Sequence, residues 1–230
     1  MNKRVFLSIM MAVAISFTAN AQNDRGSKFH FGLKASPSYN WMRTDGTGLE
    51  SDGGSIGLSY GLMTEFAISK NYAFATGLDI TYRGGKYIGT NNGKDESGNE
   101  MEGKATNTQK LQYLEIPLGL KLKTNEIGYI TYYGLFGILP GVLVKAKKEL
   151  DFEDSKFIDE DYSGNQSKFY FFNDHFNVVA GIEYNLGGNT SFTAGIHYNN
   201  GLMDIYKGSD DVPAAQFRTD GIILNVGIFF

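Results

Sequence analysis

Residues Ile56 to Ile68 read IGLSYGLMTEFAI. Ile56, Leu58, Tyr60, Leu62, Thr64, Phe66 and Ile68 share one parity, while Gly57, Ser59, Gly61, Met63, Glu65 and Ala67 share the other. A period of 2 separates these sets and a helical period would mix them, so the stretch is a strand with one apolar face. It is longer than the usual strand of about five or six residues. It is long enough for the roughly 9–11 residues of a tilted strand that crosses a bilayer.

Outward from this segment the same pattern recurs. Tyr72, Phe74, Thr76, Leu78, Ile80 and Tyr82 alternate with Ala73, Ala75, Gly77, Asp79, Thr81 and Arg83. Six further segments alternate: Phe29 to Trp41, Leu114 to Lys123, Tyr129 to Val144, Phe176 to Asn185, Ser191 to Asn199, and Ile222 to Phe230. The segment Tyr129 to Val144 is apolar on both faces. Gly137 and Gly141 weakly favour odd positions inward, and its register stays open. Eight strands are the smallest even count of outer-membrane barrels.

The connections sort by length. Ser69 to Asn71, Thr124 to Glu126 and Gly187 to Asn189 are short. Met42 to Gly54, Gly84 to Gln109, Lys145 to Lys168 and Asp204 to Thr219 are long, and the two kinds alternate along the chain. A membrane barrel with periplasmic termini has short turns on that side and long loops outside. The predicted fold class is therefore all-β, an eight-stranded antiparallel transmembrane barrel of the outer-membrane type. A soluble periplasmic barrel is the competing reading.

The polar faces decide between them, because they carry mostly Gly, Ala and Ser and few charges per strand. That composition suits a crowded lumen better than a water-exposed sheet. Lys34, Glu65, Asp79, Arg83, Glu115, Lys121 and Glu183 then point inward as a charge network. Trp41, Tyr60, Tyr82 and Tyr198 lie toward the long-loop end, and Tyr72 and Tyr184 toward the short-turn end, as two aromatic belts. Phe230 closes the last alternating strand and resembles the signal read by the outer-membrane insertion machinery.

The N-terminus is read as an address. Met1 to Arg4 is basic, Val5 to Phe17 is uncharged and largely apolar, and Ala19-Asn20-Ala21 closes the run. Those are the three regions of a secretory signal peptide. Thirteen apolar residues fall short of the roughly 20 needed for a membrane helix. The expected domains are a signal peptide over residues 1–21 and a barrel over residues 22–230. Without Lys3 and Arg4 the chain keeps 19 basic against 25 acidic residues. That balance gives no support to nucleic-acid binding.

Tyr113-Leu114-Glu115-Ile116-Pro117-Leu118-Gly119-Leu120-Lys121 resembles the central strand of the small outer-membrane β-barrels of Bacteroidota, the PorT-like porin family. Gly134 to Leu143 and Tyr198 to Ile205 resemble two further segments of that family, and the resemblance runs from about Phe29 to Phe230. It implies the fold and an outer-membrane location. A pore does not follow from the family's name.

Catalytic patterns are absent from the sequence. His30 and His197 fall on the lumen face and His175 near an external strand end, with no His-x-Ser pair of the kind a lipid deacylase needs. No phosphate-binding loop or His-Glu-x-x-His motif occurs, so no catalytic, cofactor or metal site is expected. Seven carboxylates between Glu149 and Asp161 do not follow the calcium-loop spacing. Without cysteine there is no disulfide and no lipidated N-terminal residue. Pro37, Pro117 and Pro140 sit within strands, where bulges or bends are expected.

The expected function is that of a non-enzymatic barrel with a filled lumen. Its four external loops would meet outer-membrane lipid, lipopolysaccharide or an external partner. A narrow channel for ions or small solutes is the alternative, and a lipid A-modifying enzyme comes third.

Overall fold

The computed structural model describes residues 29–45, 49–94, 100–152, 155–162, 169–207 and 216–230. The expected signal peptide lies outside them.

The strands are β1 (Phe29–Asp45), β2 (Glu50–Ser51), β3 (Gly54–Ser69), β4 (Tyr72–Lys94), β5 (Glu100–Glu115), β6 (Leu118–Lys123) and β7 (Ile130–Ile138). They continue as β8 (Gly141–Phe152), β9 (Ser155–Tyr162), β10 (Phe172–Asn173), β11 (His175–Gly187), β12 (Thr190–Gly201) and β13 (Gln216–Phe229). All form one antiparallel sheet that closes on itself, because β1 pairs with both β3 and β13. Three staves are interrupted strands: β5 with β6, β7 with β8, and β10 with β11. The small strands β2 and β9 pair only at the long-loop end, on β4 and β8. The barrel therefore has eight staves.

The register fixes its shape. Stepping across partners runs from His30 to Glu65, Ala75, Gly119, Gly137, Asn177, Asn199, Gly221 and back to Asn40 on β1. The path returns 10 residues higher (40 minus 30) on the strand it left. With spacings of about 3.3 Å along strands and about 4.8 Å between them, that stagger tilts the strands by about 40°.

The faces are sorted as in a lipid-exposed barrel. Buried positions among the described residues include 21 polar or charged side chains against 16 apolar ones, the inverse of a soluble core. Leu33, Leu58, Phe74, Phe136, Ile196 and Leu224 face outward and exposed. On β7, Tyr133 is buried while Tyr132 and Phe136 are exposed, so odd positions face in.

Three expectations need correction. The segment Gly84 to Gln109 is mostly strand: β4 runs to Lys94 and β5 begins at Glu100. Likewise β8 runs to Phe152, with β9 returning on it. Each strand pair simply continues past the membrane, where the outward face becomes polar and the apolar alternation fades. The prolines make no bulge either. The pairings on both sides of Pro117 and Pro140 keep one register, and Ile116 N–H reaches Pro140 O at 2.9 Å. A register shift lies instead between Gln112 and Tyr113, opposite Val144, and two more lie at the short turns, between Ala67 and Ser69 and between Asn185 and Gly187. At the short-turn end, Gly187 (φ 106°) and Gly188 (φ 63°) take the left-handed conformations that the β11–β12 turn requires.

Candidate functional site: the lumen and its outer cap

The inward parity stacks charge in tiers. In the lowest tier Lys121 bonds both Glu65 and Glu183, and Lys123 reaches Glu65 at 2.5 Å and Glu183 at 3.0 Å. Two lysines and two glutamates thus balance within one turn-side cluster, which a low-dielectric interior demands. The Tyr133 ring lies under Lys121, 3.9 Å from Nζ to centroid. Gly181 and Gly195 make the slot for that phenol, since a Cβ at either would meet its hydroxyl at 2.5 or 2.7 Å.

The middle tier is Lys34 with Asp79 at 2.6 Å. Gly61 faces Asp79, and a Cβ there would come within 2.5 Å of its carboxylate. His197 lies beside this tier on β12, and Asn177 Nδ2 approaches its Nδ1 at 3.5 Å.

Above it Arg83 holds Glu115 at 2.5 Å, and Thr81 donates to the other Glu115 oxygen at 2.7 Å. With its proton so used, Thr81 accepts from Ser59 at 2.9 Å. His175 Nε2 stands 2.7 Å from Arg83 Nη1 and 3.0 Å from Thr219 Oγ1. A guanidinium only donates, so Nε2 accepts and the His175 proton sits on Nδ1.

All seven charges named from sequence therefore face the lumen, within hydrogen-bonded pairs or clusters. Lys123 belongs with them, a partner signalled by its parity with Lys121. His175 opens β11 at the long-loop end, as the sequence suggests, and its side chain is buried in the lumen beside Arg83.

The outer end of the lumen is apolar. Met42, Tyr87, Leu111, Tyr113, Phe169 and Phe217 form a buried cluster with Ile205 and Ala146. Phe169 and Tyr206 come from connecting segments that fold inward and bridge to each other. Tyr170 N–H donates to Ile205 O at 3.0 Å and Ile205 N–H to Phe217 O at 2.8 Å. Asp204 accepts from the Tyr206 and Phe217 amides, both at 3.0 Å. Among the charge tiers, from Glu65 and Lys121 up to Arg83 and Glu115, a cavity of about 90 Å³ remains, and a second, polar one of about 180 Å³ opens at the short-turn mouth beside His30 and Lys123.

The belt residues face lipid. Tyr60 stacks on Tyr82 at 6.4 Å, Tyr39 meets the half-buried Trp41 at 6.3 Å, and Tyr129 meets Tyr184 at 6.2 Å. Tyr72 and Tyr198 are exposed on the same outer face. Phe230 N–H donates to Phe31 O at 2.8 Å, fastening the last residue to the first stave.

A family described as "Outer membrane protein beta-barrel domain" matches residues 20–207. The chain belongs to this outer-membrane β-barrel family. Membership places it in the outer membrane and agrees with the inverted faces. Among solved structures, the chain is similar to Neisserial surface protein A at 16% identity, over 88% of this chain and 96% of that one, with a TM-score of 0.45. It is similar to the attachment invasion locus protein Ail of Yersinia pestis at 14% identity, over 88% and 97%, with a TM-score of 0.42. OprG of Pseudomonas aeruginosa follows at 12% identity, over 87% and 94%, with a TM-score of 0.48. Among curated protein sequences none matches.

Proposed function

We propose that the protein is a closed, non-enzymatic outer-membrane barrel that acts through its external surface. The carrying observation is the apolar cap: Phe169, Tyr206 and Phe217 cover the outer end of a lumen already filled by ion pairs. Hydrated ions are poorly served by such a path, because each charge would shed water against apolar walls. Meanwhile β4, β5, β8 and β9 run on beyond the belts as a sheet that presents surface rather than a pore. Its partners in this reading are lipopolysaccharide and an external macromolecule. Assembly uses a cleaved signal peptide over residues 1–21 and the insertion machinery acting on Phe230. The finer placement among PorT-like barrels of Bacteroidota rests on the segment Tyr113 to Lys121.

Planar-bilayer recording of the purified barrel tests the closed state. No channel events are expected, and steady conductance by the folded protein would overturn it. A narrow conduit is the second reading, favoured by the cavity among the lumen charges and the polar one at its mouth.

A further inference from the structure

The register allows heights to be compared around the barrel. At a tilt of about 40°, one residue climbs about 2.5 Å along the axis and one step to the next stave about 3 Å. Measured from His30, Tyr39 then stands at about 22 Å and Tyr82 at about 24 Å, the top of an apolar band of about 25 Å. Just above, at about 30–35 Å, come six outward cations: Arg43, Lys86, Lys110, Lys145, Lys147 and Arg218. They occupy five of the eight staves. The opposite end has no counterpart: among the described residues Lys70 is its one exposed Lys or Arg, and Lys123 turns inward.

Within this girdle like charges face each other. Arg43 and Arg218 are direct cross-strand partners, as are Lys110 and Lys147. Such pairs repel unless an anion lies between them. Glu149 supplies one for the lysines, at 2.8 Å from Lys110 and 3.3 Å from Lys147. Arg43 lies 3.6 Å from Asp220, a carboxylate already engaged by the Gly201 amide at 2.9 Å, and Arg218 Nη2 donates to the neutral Gln216 Oε1 at 2.8 Å. Asp45 is exposed two residues beyond Arg43, Asp52 accepts from Thr106, and Asp161 lies in register with Lys147. Arg218 keeps Nε without a partner.

We propose that the girdle is a binding site for phosphorylated lipid headgroups of the outer leaflet, with the Arg43–Arg218 pair gripping one phosphate across the β1–β13 seam. The site adjoins the lipid-facing band without interruption, so its ligand arrives with acyl chains already against Tyr39, Ile222 and Leu224. Guanidinium forks match phosphate oxygens two at a time. The inference deepens the surface reading above and rests on the long-loop end facing outward.

The test uses the full folded chain in phosphatidylcholine nanodiscs carrying bis-phosphorylated lipid A or the same glycolipid stripped of phosphate. Each cation near a charged leaflet is worth about five-fold in affinity, so R43Q/R218Q should bind lipid A roughly 30-fold more weakly. K86Q/K110Q/K145Q/K147Q should also weaken it, and the stripped lipid should bind wild type no better than R43Q/R218Q binds lipid A. Folding of each variant is read from its heat-dependent gel mobility. Equal affinity of wild type and folded R43Q/R218Q overturns the site. Displacement by inorganic phosphate at tens of millimolar also overturns it, because the ligand is then a soluble anion. Labelling of K104C on intact cells with an impermeant maleimide reports the orientation separately. An unlabelled Lys104 position would sink the surface reading whatever the lipid result.

Discussion

Lys121 Nζ sits 3.9 Å above the Tyr133 ring while bonding Glu65 and Glu183. One cation thus ties three staves, through carboxylates on β3 and β11 and an aromatic face on β7. Replacing it with methionine leaves two buried carboxylates sharing Lys123. K121M should lose about 3 kcal/mol of unfolding free energy, measured by urea titration in lipid vesicles. E65Q/K121M/E183Q should recover most of that loss. A triple variant as unstable as K121M would show that the charges are not the cause.

The Tyr133 slot gives a second expectation. A Cβ at Gly181 would meet the phenol at 2.5 Å, so G181A must push the ring off Lys121. The expected cost is about 1–3 kcal/mol. Y133F should rescue G181A little, because Tyr133 Cζ and Ala194 O also stand 2.5 Å from that Cβ. It should rescue G195A, where the hydroxyl at 2.7 Å is the nearest atom and the next is at 3.1 Å; the same titration is the readout.

Phe169 is buried in the cap, yet it belongs to no stave. F169A should cost the cap about 3 kcal/mol of local stability. Limited proteolysis should then cut the connections at 169–171 and 202–207 faster, while heat-dependent gel mobility stays that of a closed barrel. Loss of that mobility would mean that the cap helps hold the wall.

Glu149 lies outside the membrane-spanning band. Hydrogen bonds from Lys110, then Lys147, outweigh partial burial and hold its carboxyl below the ordinary carboxylate range. A depressed folded value means that its contribution is present above the ordinary value and lost as pH falls through the lowered one. On this exposed hairpin the size is under about 1 kcal/mol. Amide protection in β5 and β8, taken relative to the intrinsic exchange rate at each pH, should therefore fall at acid pH, and E149Q should show the reduced protection already at neutral pH with little further change on acidification.

Much of the wall is legible in sequence because lipid on one side and a packed lumen on the other impose strict alternation. Glu65, Asp79 and Glu183 declare their inward face by parity alone. Parity fails where its cause ends. Past Tyr82 the outward face of β4 leaves lipid and turns polar while Tyr87 still packs in the apolar cap, and Lys86 to Lys94 resembles a loop although it is strand. The cap is hidden for another reason: Phe169 and Tyr206 lie in connections, and inward folding there follows from contacts remote in sequence. The strand-end position of His175 is legible too, but its lumen partners, Arg83 and Thr219, are not, because they are distant in the chain.

The seam between β1 and β13 joins Gly32 to Phe229, residues about 200 positions apart in sequence. Until that last zipper shuts, a nascent sheet exposes two raw edges whose amides have no water to turn to inside lipid. Growth by successive hairpins is local and fast, but closure must wait for the final strand to be made. Truncation anywhere before Phe230 therefore produces a sheet with an unsated edge, prone to recruit a neighbour's strand, rather than a narrower ring.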